Sequence, residues 1–161
     1  MSPKPRFLAD AMLGRLARWL RVLDYDTLYH PEKPDPELVA IADREERWLL
    51  TRDRALVNEL RPHRSLLIQS QKPLQQLREV IDACQLPRPD ALFRRCLLCN
   101  GRLRAASAEE IDRLAPLSSR QYGDELLYCP GCHRLYWPGS HTRRMARALA
   151  RTLPHWFTPP G

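Results

Sequence analysis

Two Cys-x-x-Cys pairs constrain this chain more than any other feature of its sequence. Cys96 and Cys99 form the first pair, Cys129 and Cys132 form the second, and 29 residues separate the two pairs. Each pair points two sulfurs at one ion, and four thiolates make a closed tetrahedral Zn²⁺ site. The spacing therefore predicts one structural zinc. Because a closed site leaves no position for a substrate, we expect this zinc to stabilise the fold and not to catalyse.

The composition is that of a globular protein and bears on whether the cysteines bind a metal or form disulfides. The chain has 161 residues, of which 43% are hydrophobic, and this length allows one domain, or one domain plus a small satellite. No apolar run approaches the ~20 residues of a membrane-spanning helix, and the first residues lack the apolar core of a signal peptide. We therefore expect a cytoplasmic protein with no membrane contact. In that compartment, paired cysteines indicate a metal and not disulfides.

The first half of the chain alternates short apolar runs with amphipathic segments. The apolar runs predict four strands, at residues 6–9, 26–30, 48–51 and 65–69. A helical pattern follows each run, and this repeat indicates an α/β fold with a parallel sheet between helices. Prolines mark a boundary near residues 85–95. We predict an α/β domain over residues 1–90, and over residues 91–161 a small zinc ribbon with four cysteine ligands and an Arg-rich tail.

Three carboxylates fall at the same edge of the predicted sheet. Asp10 and Asp53 each follow a strand directly, and Asp35 is expected to cap the second helix, with Pro36 at its first helical position. Ligands bind at the carboxyl ends of parallel strands, and crowded carboxylates repel unless a cation lies between them. Mg²⁺ and Mn²⁺ prefer carboxylate oxygens and activate water for phosphodiester hydrolysis. The three acids therefore predict a catalytic Mg²⁺ or Mn²⁺ site.

Each acid also has a simpler explanation. A helix cap alone would account for Asp10 or for Asp35, and a surface ion pair with Arg52 or Arg54 would account for Asp53. The functional interpretation depends on all three acids falling at one edge, and no single acid carries it.

The excess of basic residues indicates a phosphate-containing partner. The chain has 26 basic and 19 acidic residues, and all but three of the basic residues are arginine. Guanidinium groups bind phosphate oxygens bidentately, although an Arg-rich genome would produce the same composition. Beyond Glu125 there are five arginines and no acid. This distribution favours RNA binding at the C-terminal end.

The predicted RNA contacts fall in two groups. They are Arg15, Arg18, Arg52 and Arg54 near the acids, and Tyr136, Trp137, Arg143 and Arg144 beyond the second cysteine pair. Aromatic side chains beside arginines suit single-stranded nucleic acid, through base stacking and phosphate contact. The alternatives stay open: the two aromatics would pack the zinc module onto the main domain, and the arginine row on the first helix, continued by Arg21, would be a solvated face.

The chain resembles a known family, the bacterial and archaeal mut-seven C-terminal RNase domain family. The matching stretches are FLADAMLGRLARWLRVLDYDTLY, DPELVAIADREERWLLTRDRAL, CLLCNGRL and CPGCHRLYWPGSH. This resemblance implies a PIN-like nuclease fold with an appended zinc ribbon. It also implies a metal-dependent ribonuclease in which Asp10, Asp35 and Asp53 occupy the PIN-like acidic positions and the four paired cysteines are the ribbon ligands.

The chain departs from the pattern of this resemblance at two places. Many PIN nucleases present a fourth acid after the fourth strand, where this chain has Ser70 and Gln71. Asp24 stands where the family usually has glycine, in the turn before the second strand.

Two functions follow from these features. The leading hypothesis is a ribonuclease that hydrolyses RNA through a carboxylate-bound divalent cation. The alternative is a non-catalytic RNA- or ribosome-associated binding protein with a structural zinc ribbon. A phosphoacceptor receiver domain is less favoured, because no lysine ends a later strand of the predicted sheet.

Overall fold

The computed structural model describes residues 3–157, in two compact units that divide between Phe93 and Arg94. The ends of the two predicted domains, residues 1–2 and 158–161, lie outside the described residues. In the first unit, strands and helices alternate as β1 (Phe7–Ala9), α1 (Gly14–Val22), β2 (Thr27–Tyr29), α2 (Asp35–Arg44), β3 (Trp48–Thr51), α3 (Arg54–Leu60), β4 (Ser65–Leu67) and α4 (Pro73–Cys84). A short 3₁₀ helix, Ala11–Leu13, lies between β1 and α1.

The four strands of the first unit form one parallel sheet in the order β2-β1-β3-β4. Leu8 at the centre of β1 pairs with Leu28 of β2 and with Leu49 of β3. All three residues of β1 are fully buried, as expected for a parallel sheet that is covered on both faces. The predicted α/β fold class is therefore confirmed.

Leucine-rich helix faces form the two apolar layers against this sheet. On one face, Leu8 and Leu49 pack in a buried cluster with Leu38 and Ala42 of α2 and with Leu56 of α3. On the other side, α1 and α4 pack against each other. Burying a leucine side chain contributes about 1.5–3 kcal/mol, so these layers supply most of the stabilisation of the unit. The helices therefore cover both faces of the sheet.

One buried guanidinium joins the amino ends of three strands. Arg47 directly precedes β3 and is 5% exposed. Its Nη1 donates to Asp26 Oδ1 at 2.7 Å and to the carbonyl of Phe7 at 3.1 Å, and its Nε donates to Glu45 Oε1 at 3.1 Å. Two carboxylates thus compensate the buried charge, and this cluster fixes how the strands begin.

The second unit is built on a small antiparallel sheet. Its strands are β5 (Arg104–Ala105), β6 (Leu127–Cys129) and β7 (Arg134–Tyr136), in the order β5-β6-β7. Between β5 and β6 lie α5 (Ala108–Leu114) and a 3₁₀ segment (Leu117–Glu125), which occupy most of the long spacing between the cysteine pairs. After β7 come α6 (Ser140–Thr152) and α7 (Pro154–Phe157). None of the helices in the described part of the chain is long and apolar enough to cross a membrane.

The second helix begins one residue earlier than the sequence predicts. Pro34 is the N-cap residue, because its carbonyl accepts hydrogen bonds from the amides of Glu37 and Leu38 at 3.0 and 3.1 Å. Asp35 is therefore the first helical residue, with Pro36 after it. The prediction that Asp35 caps this helix is wrong, and its exposed carboxylate is not committed to the helix end.

The first prediction concerns the buried guanidinium. We expect Arg47→Met to lower the free energy of unfolding by about 2–3 kcal/mol, because the Phe7 carbonyl and Asp26 lose a charged donor. Chemical unfolding of the full chain in urea measures the change. Arg44→Met, at the exposed end of α2, removes the same charge and should change stability by less than about 0.5 kcal/mol. Equal losses in both variants would contradict the role given to Arg47.

Candidate functional site

Asp10 is held at the carboxyl end of β1 by the neighbouring strand. Its side chain is 6% exposed, and its backbone amide donates to the carbonyl of Leu50 in β3 at 3.0 Å. Its Oδ2 accepts a hydrogen bond from the Thr51 hydroxyl at 2.6 Å, and its Oδ1 accepts one from the amide of Met12 at 3.0 Å. The second bond caps the 3₁₀ helix, so the structural role considered for Asp10 is present.

The Thr51 hydroxyl connects Asp10 with Asp53. Thr51 is fully buried, and its hydroxyl donates to Asp10 while accepting a hydrogen bond from the amide of Asp53 at 2.9 Å. The Asp53 carboxylate accepts from the amide of Leu56 at 3.2 Å and so caps α3. Within residues 3–157 it forms no ion pair with Arg52 or Arg54, and the side chain is exposed. One buried hydroxyl therefore fixes the positions of both strand-end acids.

The electrostatics of Asp10 link it to Asp35. Burial raises the pKa of Asp10 above its usual value, while hydrogen bonds from Thr51 and Met12 oppose that shift. The negative charge of Asp35 raises the pKa of Asp10 further. The ionised carboxylate of Asp10 is thus held where negative charge is disfavoured. A cation at this edge would offset both the free-energy cost of burying the Asp10 charge and the repulsion from Asp35.

The three acids share one edge without forming a tight ligand set. Asp10 and Asp53 bond to the same hydroxyl, and the charge of Asp35 acts on Asp10. Among residues 3–157, the four paired cysteines make up the group of His, Cys, Asp and Glu residues that is close enough to hold a metal directly. The carboxylates are arranged more openly than those thiols.

The arginines predicted near the acids differ in how accessible they are. Arg15 and Arg18 are exposed on α1, and Arg54 is exposed at the first position of α3. Arg52 is half-buried, and its Nη2 donates to the carbonyl of Gln69 at 3.3 Å. Arg21 does not continue the exposed row, because it is buried and its Nε donates to the carbonyl of Thr27 at 3.0 Å.

An acid that the sequence pattern does not indicate lies at the carboxyl end of β4. Glu79 of α4 reaches the loop after this strand, where its two carboxylate oxygens accept hydrogen bonds from the amides of Gln69 and Ser70 at 2.8 and 2.9 Å. Gln76 donates to the carbonyl of Ser70 from the same helix at 2.9 Å. Glu79 therefore fixes the loop. Glu79 lies ten residues after Gln69 in the sequence, within a different helix, so no local pattern indicates this contact.

The four paired cysteines converge in the second unit. Their sulfurs all lie within 4.8 Å of one another, with Cys99 and Cys129 at 3.4 Å and Cys96 and Cys132 at 3.8 Å. Sulfurs at 2.3 Å from a tetrahedral zinc are separated by about 3.8 Å, so the spacing fits that ion. A set of four thiolates also favours zinc over hard cations. The predicted ligand group is thus assembled, and it can hold zinc.

Hydrogen-bond donors and glycines surround these sulfurs. The amides of Gly101 and Cys132 point at the sulfurs of Cys99 and Cys129, each at 3.4 Å. At Gly101 and at Gly131, a Cβ atom would lie 3.3 Å from Cys99 Sγ, so the missing side chains let the backbone approach the sulfurs. Burial opposes ionisation of Cys96, but hydrogen bonds from the Tyr136 hydroxyl and from nearby amides lower its pKa to about 7.

The predicted RNA contacts of the second unit have different surroundings. Tyr136 and Trp137 are half-buried; the hydroxyl of Tyr136 lies at the Cys96 sulfur, and the carbonyl of Trp137 accepts from the Thr142 hydroxyl at 3.2 Å. Arg143 and Arg144 are exposed on α6. The arginines are open to a ligand, whereas the Tyr136 hydroxyl is engaged at the thiol cluster of its own unit.

The sequence of this chain matches one family of known proteins. The model of the Mut7-C RNAse domain matches residues 5–149, a span that contains the three acids and all four paired cysteines. No curated protein and no solved structure matches the chain significantly. The family points to a nuclease-like function that involves RNA. Because the match covers most of the chain, the resemblance seen in its motifs is confirmed, and the chain belongs to the Mut7-C RNase domain family.

Proposed function

We propose that this protein is a ribonuclease that hydrolyses RNA phosphodiester bonds with Mg²⁺ or Mn²⁺ at the carboxyl edge of the parallel sheet. The observation that carries the proposal is the arrangement of Asp10 and Asp53 on the Thr51 hydroxyl, within range of the Asp35 charge. Family membership supports the reaction class. The disfavoured negative charge at Asp10 supports the need for a cation.

The three acids would have different roles at this edge. The Asp10 carboxylate accepts hydrogen bonds from the Thr51 hydroxyl and from the amides of Met12 and Arg52, so Asp10 is the acid best fixed to hold the cation directly. Mg²⁺ retains several water ligands, so Asp53 and Asp35 would act through water across the wider spacing. The exposed Asp35 would accept a proton from the attacking water. When bound, the cation activates that water and neutralises charge at the phosphate.

Arginines on two surfaces would bind the RNA backbone. Arg15 and Arg18 are exposed on the helix that follows Asp10, and Arg54 is exposed next to Asp53 in the chain, so their guanidinium groups could bind the phosphates beside the cleaved bond. On α6, Arg143 and Arg144 lie on a helix that carries no acid. Such contacts are sequence-independent and position the substrate.

One observation favours the non-catalytic alternative. Asp10 and Asp53 both cap helical segments, and a cap accounts for a strand-end acid without any metal. In that case the protein would bind RNA and not cleave it. Stability and cleavage measurements on the acids separate the two functions, because an Asn substitution keeps a helix cap but removes the charge that a bound cation requires.

The second prediction concerns Asp10→Asn. Because the pKa of Asp10 is raised in the fold, protonated Asp10 stabilises the fold at low pH, and that stability is lost as the pH rises through the raised pKa. At pH 7 we therefore expect the metal-free variant to be at least as stable as wild type. Wild type should gain thermal stability from Mn²⁺ and the variant should not. Metal-dependent RNA cleavage should fall by about 100-fold or more.

The controls for this experiment separate charge from capping. Asp53→Asn removes the charge and keeps the cap, since Asn caps helices as well as Asp, and it should behave like Asp10→Asn. Asp82→Asn neutralises an exposed acid near the far end of α4 and should change neither cleavage nor the Mn²⁺ response. If wild type gains nothing from Mn²⁺ and neither site substitution lowers metal-dependent cleavage, the acids are structural and the binding function replaces the enzyme.

The third prediction concerns the metal of the second unit. Protein purified without chelators should contain about one zinc per chain, because four thiolates complete one tetrahedral site. Elemental analysis measures the ratio. Cys96→Ser should lose the zinc, while Cys84→Ser, which changes the cysteine outside the cluster, should keep it. A ratio far below one in wild type, or equal losses in the two variants, would rule out this site.

The fourth prediction concerns the arginines of α6. Removing Arg143 and Arg144 together should weaken RNA binding and reduce the slope of log affinity against log salt by roughly one for each of these arginines that binds a phosphate. Binding assays at several salt concentrations measure both quantities. Arg44→Ala combined with Arg113→Ala removes the same net charge at exposed positions elsewhere and serves as the control. An unchanged affinity and slope in the α6 variant would show that RNA binds at another surface.

A further inference from the structure

The hydroxyl of Tyr136 lies 2.9 Å from the sulfur of Cys96. Cys96 is fully buried and belongs to the first cysteine pair, whereas Tyr136 ends β7, the strand that follows the second pair. The contact therefore spans 40 residues and joins the two halves of the thiol cluster. We infer that Tyr136 is a positioning residue of the metal centre, where its hydroxyl donates a hydrogen bond to the Cys96 thiolate. This inference rests on the zinc binding proposed above.

Metal binding decides the direction of this hydrogen bond. Between a phenol and a free thiol, either atom can donate the proton. A cysteine that ligates a metal is a thiolate with no proton, so its sulfur can only accept. A tyrosine hydroxyl carries its proton at neutral pH and is then the donor. The contact is thus suited to the metal-bound state, in which the Cys96 sulfur is a thiolate and carries more negative charge than a free thiol does.

The sheet of the second unit holds Tyr136 in place for this role. Tyr136 pairs with Leu127 in β6, and two residues further along the same ladder Cys129 pairs with Arg134. The strand that carries one ligand, Cys129, therefore also fixes the tyrosine that reaches a second ligand, Cys96. The contact follows from the strand register, and the half-buried ring has little freedom to leave it.

The other thiols show why a donor at Cys96 matters. A zinc ion with four thiolates carries a net charge of −2, and hydrogen bonds to the sulfurs disperse that charge. Backbone amides serve Cys99 and Cys129, at 3.4 Å each. Backbone amides also bond to the sulfur of Cys96, and the Tyr136 hydroxyl is a further donor there that, unlike an amide, can be removed by substitution. Loss of such an outer partner typically costs about 10- to 100-fold in metal affinity.

The fifth prediction tests Tyr136→Phe in the full chain loaded with zinc. This substitution removes the hydroxyl and keeps the ring, so stacking on a base would survive it. We expect zinc to pass to a chromogenic chelator about 10-fold or more faster than from wild type. Tyr128→Phe is the matched control: Tyr128 lies in β6 of the same sheet, and its hydroxyl bonds to His133 Nδ1 at 2.7 Å and not to a sulfur. The control should release zinc at the wild-type rate.

A spectroscopic measurement separates a bond to sulfur from general loosening of the fold. With Co²⁺ in place of zinc, losing a hydrogen bond to sulfur raises the energy of its lone pair, so the sulfur-to-cobalt band should move to longer wavelength in Tyr136→Phe. Tyr128→Phe should leave the band in place. A wild-type band and release rate in Tyr136→Phe, or equal changes in both variants, would overturn the inference while leaving the zinc site intact. A wild-type chain that takes up neither metal would overturn both.

Discussion

The parallel pairing of β1 with β3 is the contact from which the acidic edge follows. Ala9 pairs with Leu50, so the next residues along the two strands, Asp10 and Thr51, meet at the end of the ladder. These residues are 41 positions apart in the chain, and only the register brings them together. A slip of one residue would turn every side chain of one strand to the opposite face. The arrangement is thus protected by the buried leucines that fix the register.

The two units present ligand sets of opposite chemical character. The second unit gathers four thiols, which favour zinc, whereas the first has carboxylates, which favour hard cations such as Mg²⁺ and Mn²⁺. Each set therefore discriminates against the ion suited to the other. The spacing also differs, because the thiols are close enough to surround an ion without water and the acids are not. The thiols suit a closed structural centre, whereas under the proposed function the acids would form a site that admits water and phosphate.

The sequence predicted those features that have a local pattern. The alternation of apolar runs and amphipathic segments identified the four strands of the first unit and the helix that follows each of them, and β3 has the predicted bounds. The cysteine spacing identified the ligand group in the same way.

The features that escaped prediction depend on contacts between distant residues or on backbone geometry. Glu79 reaches back ten residues to a loop, and Tyr136 reaches 40 residues to a sulfur. Arg21 continues a helical row of arginines, yet the position of β2 buries it. The predicted N-cap of α2, Asp35, is one residue too late, because the backbone carbonyl of Pro34 accepts the first hydrogen bonds of the helix. Neither periodicity nor spacing carries such information.

Helix starts explain how the acids can stand near one another before a cation binds. Asp10 caps a 3₁₀ helix, Asp35 opens α2 and Asp53 caps α3, so each acid lies beside the free amides of a first turn. Such amides carry partial positive charge and favour a carboxylate beside them. That attraction offsets part of the repulsion among the three acids, although burial and the Asp35 charge still raise the pKa of Asp10. The caps thus hold the carboxylates at the sheet edge but leave part of their repulsion in place, and under the proposed function a divalent cation would neutralise it.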